Sequence, residues 1–173
     1  FHLCNDGDEA LMPVEYAQIC STEDQRPSVT SPVKVTLNQN DAISGIEHSA
    51  DTPGDVRVLE SGVYVLIAAP QVGRTGGTEN RYVDFWLRKN GQDVANSNVR
   101  YVIAGNGNKD VIVNQSMMPF EKGDVINVVM KVESTEDGLG IEAIHPEGEP
   151  LIPSIIFSMH KSQHIDPRFL MFF

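Results

Sequence analysis

Hydrophobic positions recur with period two through the middle of this chain. In Val83-Asp84-Phe85-Trp86-Leu87-Arg88-Lys89-Asn90-Gly91, Val83, Phe85 and Leu87 share one face of a strand, and Asp84, Trp86 and Arg88 the other. Asn90-Gly91 tolerates positive φ at both positions, so a hairpin is predicted there, with residues 93–103 returning antiparallel. Val33, Val35 and Leu37 alternate with Lys34 and Thr36, a strand with one wet face. Residues 38–55 read as loop with a short strand over 43–47, and 56–59 as a brief strand. Residues 99–104 and 111–115 follow the same grammar. Residues 125–132 form a long β-branched strand, 141–144 a short one, and 151–161 the closing one. Strands spaced by Gly, Asn and Asp turns, with no central helix, predict an all-β sandwich or jelly roll of about eight to ten antiparallel strands.

Residues 63–69 break the alternation. Val63, Val65, Ile67 and Ala69 fall on one face and Tyr64, Leu66 and Ala68 on the other, so both faces are apolar. An antiparallel sheet wetted on one side should alternate. One face therefore needs a cover, either a partner subunit or a thicker monomer. Tyr64 and Leu66, with Tyr82 and Trp86 from the organising strand, are expected at the shared surface. So are Ser154, Ile156 and Ser158, whose small or mixed side suits close packing at a symmetry axis.

The ends are different in character. Residues 1–27 read as an N-terminal arm with an acidic turn at Asn5-Asp6-Gly7-Asp8-Glu9 and a short helix over 9–19 interrupted by Pro13. Its apolar points, such as Leu11 and Val14, predict docking on the domain or on a neighbour. Residues 163–173 form a tail ending in Phe169, Leu170, Met171, Phe172 and Phe173, too apolar to stay free and expected to dock on another subunit. The alternative is an expression remnant. Between them, 28–162 is the folded domain. The sequence starts on Phe1 rather than Met, which is expected of a processed or longer chain.

Charge narrows the partners. The net charge of −11 opposes nucleic acid and anionic membrane surfaces. No apolar run reaches the ~20 residues of a membrane span. Cys4 and Cys20 are the only cysteines. They are either two reduced thiols or a disulfide closing a short loop, contributing ~3 kcal/mol.

Candidate chemistry is thin. Asp6, Asp8 and Glu9 miss the EF-hand spacing and read as a solvated turn. Glu136 and Asp137 could bind calcium, with nothing to fix the geometry. Gly73-Arg74-Thr75-Gly76-Gly77 lacks the Walker pattern and reads as a plain flexible loop. His160 and His164 stand four apart at a strand end, which favours surface histidines over a metal pair. Asp84 and Arg88 suit cross-strand ion pairing, and Asp124 suits turn chemistry. No catalytic residue, cofactor or metal is expected.

Four segments resemble one superfamily. SGVYVLIAAPQV, VDFWLRKNGQDVANSNVR and FEKGDVINVVM are similar, in order and spacing, to strands of the complement and tumour necrosis factor superfamily. IPSIIFSMHK falls where that superfamily places its last strand. The FWLRKNG strand with its Asn-Ser-Asn hairpin most resembles the variant in structural proteins of phages and large DNA viruses. The resemblance spans about 28–162. It implies a ten-stranded jelly roll that trimerises through one sheet, and a non-enzymatic virion subunit contacting other structural proteins. The alternative is a secreted or surface module that recognises glycans or proteins through apical loops.

Overall fold

The computed structural model describes residues 14–105 and 107–162. In chain order the strands are β1 (Tyr16–Ser21), β2 (Val33–Lys34), β3 (Gln39–Ser44), β4 (Ile46–Glu47), β5 (Val56–Val58), β6 (Gly62–Gly73) and β7 (Asn80–Lys89). Then follow β8 (Gln92–Asp93), β9 (Val99–Ala104), β10 (Asp110–Val111), β11 (Asn114–Phe120), β12 (Val125–Val132), β13 (Gly140–Ile141) and β14 (Ile155–Lys161). No helix occurs among the described residues.

Two antiparallel sheets result. The first runs β10-β6-β14-β1-β3, with β11 and β13 also paired to β6. The second runs β4-β5-β12-β7-β8, with β2 paired to β12 and β9 to β7. The chain crosses from β6 to β7, back from β9 to β10, and across again from β11 to β12. The chain thus passes repeatedly from one sheet to the other, the wiring of a jelly roll.

The core lies between the sheets. Tyr64, Leu66 and Ala68 of β6, Ala17 and Ile19 of β1, and Phe157 and Met159 of β14 face Phe85 and Leu87 of β7 and Ile126, Val128 and Met130 of β12. Tyr64 meets Phe120 edge to face, ring centres 5.5 Å apart at 83°, and its hydroxyl donates to the Glu60 carbonyl at 2.8 Å. That bond lets a phenol sit in an apolar layer without an orphaned donor.

The organising hairpin forms as the sequence predicts. Asn90 and Gly91 have φ of 49° and 78°, the pair of positive values a type I′ turn needs, and β8 returns on β7 with Arg88 opposite Asp93. β12 occupies the eight residues expected of it. Other elements differ. Residues 16–19, expected in a helix of the arm, belong to β1, which lies between β14 and β3. Ala17 and Ile19 bury inward while Tyr16 and Gln18 face out, a period of two rather than 3.6. After β2 the chain leaves the ladder, yet Val35 and Leu37 stay in the core. Their amides donate to the Val128 and Pro53 carbonyls instead.

The glycine-rich loop is not a loose one. It is folded around Arg74, whose side chain is fully buried. Its Nε donates to the Gly105 carbonyl at 2.8 Å, Nη1 to Glu79 at 2.6 Å and Nη2 to Gly77 at 3.0 Å. A planar fork of donors suits such a cage of carbonyls better than any other side chain.

Candidate functional site

Two outer surfaces carry the residues of interest, one on each sheet. On the first sheet, paired residues form rows across the strands. Tyr16, His160, Val65 and Met117 make one row. Gln18, Ser158, Ile67 and Gln115 make the next, and Cys20, Ile156 and Ala69 a third. Exposure is high for apolar side chains: Met117 65%, Val63 43%, Tyr16 42% and Ile156 39%. Val65, Ile67 and Ala69 are half-buried. The result is an apolar stripe along β6 with flanking apolar points on β1, β11 and β14.

This stripe is not the set of residues expected from sequence. Tyr64 and Leu66 point inward, at 0% and 1% exposure, so their own chain hides them. The doubly apolar strand is real, but the larger side chains fill the sandwich and the β-branched and small ones face out. Ser154 is also fully buried, its hydroxyl bonded to the Ser21 carbonyl at 3.2 Å. Ile156 and Ser158 do lie on the outer face. Tyr82 and Trp86 lie on the other sheet, so the seven residues do not share one face. Residue volume was the signal available: Tyr64 and Leu66 sit opposite a layer with room for them, whereas Val63, Val65 and Ile67 do not need it. The tail residues Phe169, Leu170, Phe172 and Phe173 lie outside the described residues.

Cys20 is buried at the edge of this surface. Burial, and then the charge of Asp41, raises its thiol pKa, so the thiolate is disfavoured. Cys4 lies outside the described residues.

The outer face of the second sheet is charged rather than apolar. Asp84 receives both Arg100 Nε at 2.7 Å and Arg100 Nη2 at 2.8 Å, and the same guanidinium stacks 3.8 Å over the Tyr82 ring. Trp86 Nε1 donates to Asp93 Oδ1 at 2.7 Å, and Arg88 Nε donates to the same oxygen at 2.8 Å. Arg88, then Trp86, holds the Asp93 carboxyl below its usual range. Asp84 and Arg88 are thus cross-strand ion-pair residues, through Arg100 and Asp93 respectively.

Elsewhere charges brace loops. Asp137 pairs with Arg81 at 3.1 Å and lies 3.9 Å from Arg74, so the residue considered for calcium faces two guanidiniums. Buried Glu142 is held by Arg26 at 2.7 Å and by Lys109. His48 bonds Asn40 and the Pro53 carbonyl. Among the described residues no three His, Cys, Asp or Glu side chains gather as a metal site. Asp6, Asp8, Glu9 and His164 lie outside them.

These features define the fold class as a tumour necrosis factor-like jelly-roll sandwich. Crystal structures of murine APRIL share it. The structure at pH 5.0 superposes with a TM-score of 0.56 at 13% identity, covering 86% of this chain and 99% of that one. Those at pH 8.5 and pH 8.0 each give 0.53, at 13% and 14% identity, with the same coverage. At such identities the likeness is one of fold. No family model matches the sequence, and no curated protein does.

Proposed function

We propose that this chain is a non-enzymatic structural module that assembles with copies of itself, as a homotrimer, through the outer face of the first sheet. The apolar stripe Val63, Val65, Ile67 and Ala69, flanked by Met117 and Ile156, carries the reading. Contiguous apolar surface on a sheet marks an interaction site. A closed ring of identical copies covers it with one repeated set of contacts. Three copies, rather than two, is what the resemblance to the complement and tumour necrosis factor superfamily suggests. Both ends of the described chain meet beside this face, where Lys161 N donates to the Glu15 carbonyl at 2.9 Å. The apolar segments that precede and follow, ending in Phe169, Leu170, Phe172 and Phe173, therefore join the fold next to it. They serve contacts with neighbouring subunits.

The particle is a virion, with this chain as a capsid or appendage subunit. The reading rests on the resemblance of the FWLRKNG strand and Asn-Ser-Asn hairpin to the variant in phage and large DNA virus structural proteins. Light scattering of the purified chain tests assembly. Three times 19.0 kDa is expected, and a stable monomer at micromolar concentration overturns it. Antibody labelling of purified particles in the electron microscope tests the virion assignment, which fails if particles carry no label. A second reading, an extracellular recognition module, is favoured by a groove on the opposite sheet, lined by Trp86, Val94, Asn96, Asn98 and Lys131 among others. A soluble trimer that binds glycans and associates with no particle would select it.

A further inference from the structure

We infer that the groove over Trp86, on the outer face of the second sheet, binds a carboxylated sugar. It goes beyond the assembly reading and does not depend on it, because the groove and the apolar stripe lie on opposite sheets.

The groove is open to solvent and has a volume of about 330 Å³, at the lower end of ligand sites. Trp86, Pro32 and Val94 supply the apolar part of its lining, and Asn96, Asn98 and Lys131 the polar part with Asp84 and Asp93. Trp86 pairs with Val129 in the ladder and Lys131 with Asp84. The indole is 9% exposed, and its N–H is already committed to Asp93. What it shows a ligand is therefore a narrow apolar strip of ring, held in a fixed plane. Sugar rings bring aliphatic C–H faces to such a surface and hydroxyls to its edges.

The wall is fixed before any ligand arrives. Ser97 is buried, donates to the Val94 carbonyl at 2.8 Å and accepts from Leu87 N at 3.0 Å. Asn114 Nδ2 donates to the Ser97 carbonyl at 2.6 Å. Asn96 takes φ of 60°, in the left-handed region that asparagine tolerates. A wall fixed in this way loses little conformational entropy on binding.

Charge selects the ligand class. Asp84 is neutralised by Arg100, and Asp93 by Arg88. Of the charged residues lining the groove, Lys131 alone has no ion-pair partner among the described residues. On a chain of net charge −11, this leaves one local ammonium beside the apolar strip of Trp86, Pro32 and Val94 and two amides. A ligand with one carboxylate, several hydroxyls and a C–H face matches all of these.

Trp86 is the only tryptophan, so fluorescence excited selectively at the indole, beyond tyrosine absorption, reports on the surroundings of Trp86. Titration of the full chain with 3′-sialyllactose and with a glucuronate-containing disaccharide is expected to give saturable changes, while uncharged lactose and sodium acetate give none. Lys131→Met should weaken binding about tenfold with the unfolding midpoint unchanged, and Lys131→Arg should retain it. No saturable change with either acidic sugar overturns the inference. So does an equal response to lactose, which removes the role of charge, or to acetate, which leaves only an anion contact. Light scattering under the same conditions reads the self-association face separately.

Discussion

Asn90 and Asp124 bind each other across two turns at one end of the sandwich. Asn90 Nδ2 donates to Asp124 Oδ1 at 2.7 Å, while Asn90 Oδ1 accepts from Val125 N at 2.9 Å. The other Asp124 oxygen accepts from Glu121 N at 2.8 Å and pairs with Lys89 at 2.8 Å. One carboxylate thus closes its own turn and ties it to the hairpin after β7. Lys89, followed by Asn90 and the Glu121 amide, lowers its pKa from 3.8 to about 2. A depressed carboxyl pKa contributes stability above the unfolded value, lost as pH falls through the folded one. Stability should therefore drop between pH 4 and about 2. Asp124→Ala should cost about 2 kcal/mol at neutral pH and flatten that acid limb. Urea unfolding midpoints against pH check both.

Tyr64 gives the opposite limb. Burial, then the charges of Glu15 and Glu60, pushes its pKa up to about 12. A raised phenol pKa means stability intact below the unfolded value near 10 and lost as pH climbs toward 12. In an alkaline titration at the tyrosinate band, Tyr64 should ionise only as the fold opens. Tyr64→Phe should remove that late step and cost about 1 kcal/mol for the bond to Glu60. Tyr64→Ala should cost about 3–5 kcal/mol, because Phe120 loses its partner ring.

Arg74 holds the segment between β6 and β7 by binding carbonyls rather than a ligand. Arg74→Lys keeps the charge but not the fork, and cannot reach three carbonyls in one plane. Arg74→Met leaves those carbonyls unpaired. Losses of about 1–3 kcal/mol are expected for the lysine variant and more for the methionine one. Hydrogen exchange should rise at residues 75–80 while β12 stays protected.

The strands were legible where strong turn chemistry brackets a long period-two run. Asn90-Gly91 and the alternation of β12 left one arrangement open. β1 was harder to read, because Ala17 is a small inward residue and Pro13 and the acidic run before it suggested an irregular arm. β6 was legible as unusual but not as oriented. With both faces apolar, period-two reasoning says that a strand is doubly covered and not which side is inside. Packing volume decides that, and it placed Tyr64 and Leu66 inward. The charged groove over Trp86 depended on long-range pairing. Arg100 and Asp84 are sixteen residues apart, and nothing local links Lys131 to Trp86.

The orientation of β6 makes the proposed self-association face separable from stability. Ile67 and Met117 point out of the sandwich, so Ile67→Lys with Met117→Lys places two charges on the stripe without entering the core. If copies meet there, desolvating unpaired ammonium groups across the contact opposes assembly by several kcal/mol. The double variant should scatter as a monomer of 19.0 kDa, with the monomer's far-ultraviolet spectrum unchanged. Leu66→Ala is the complement. It removes core volume beneath the same strand and should cost about 2–5 kcal/mol while leaving the oligomeric state of the folded fraction unaltered. A wild-type trimer that survives the lysine pair would place the contact on another surface. One that dissociates with Leu66→Ala alone would mean that assembly and folding are one equilibrium.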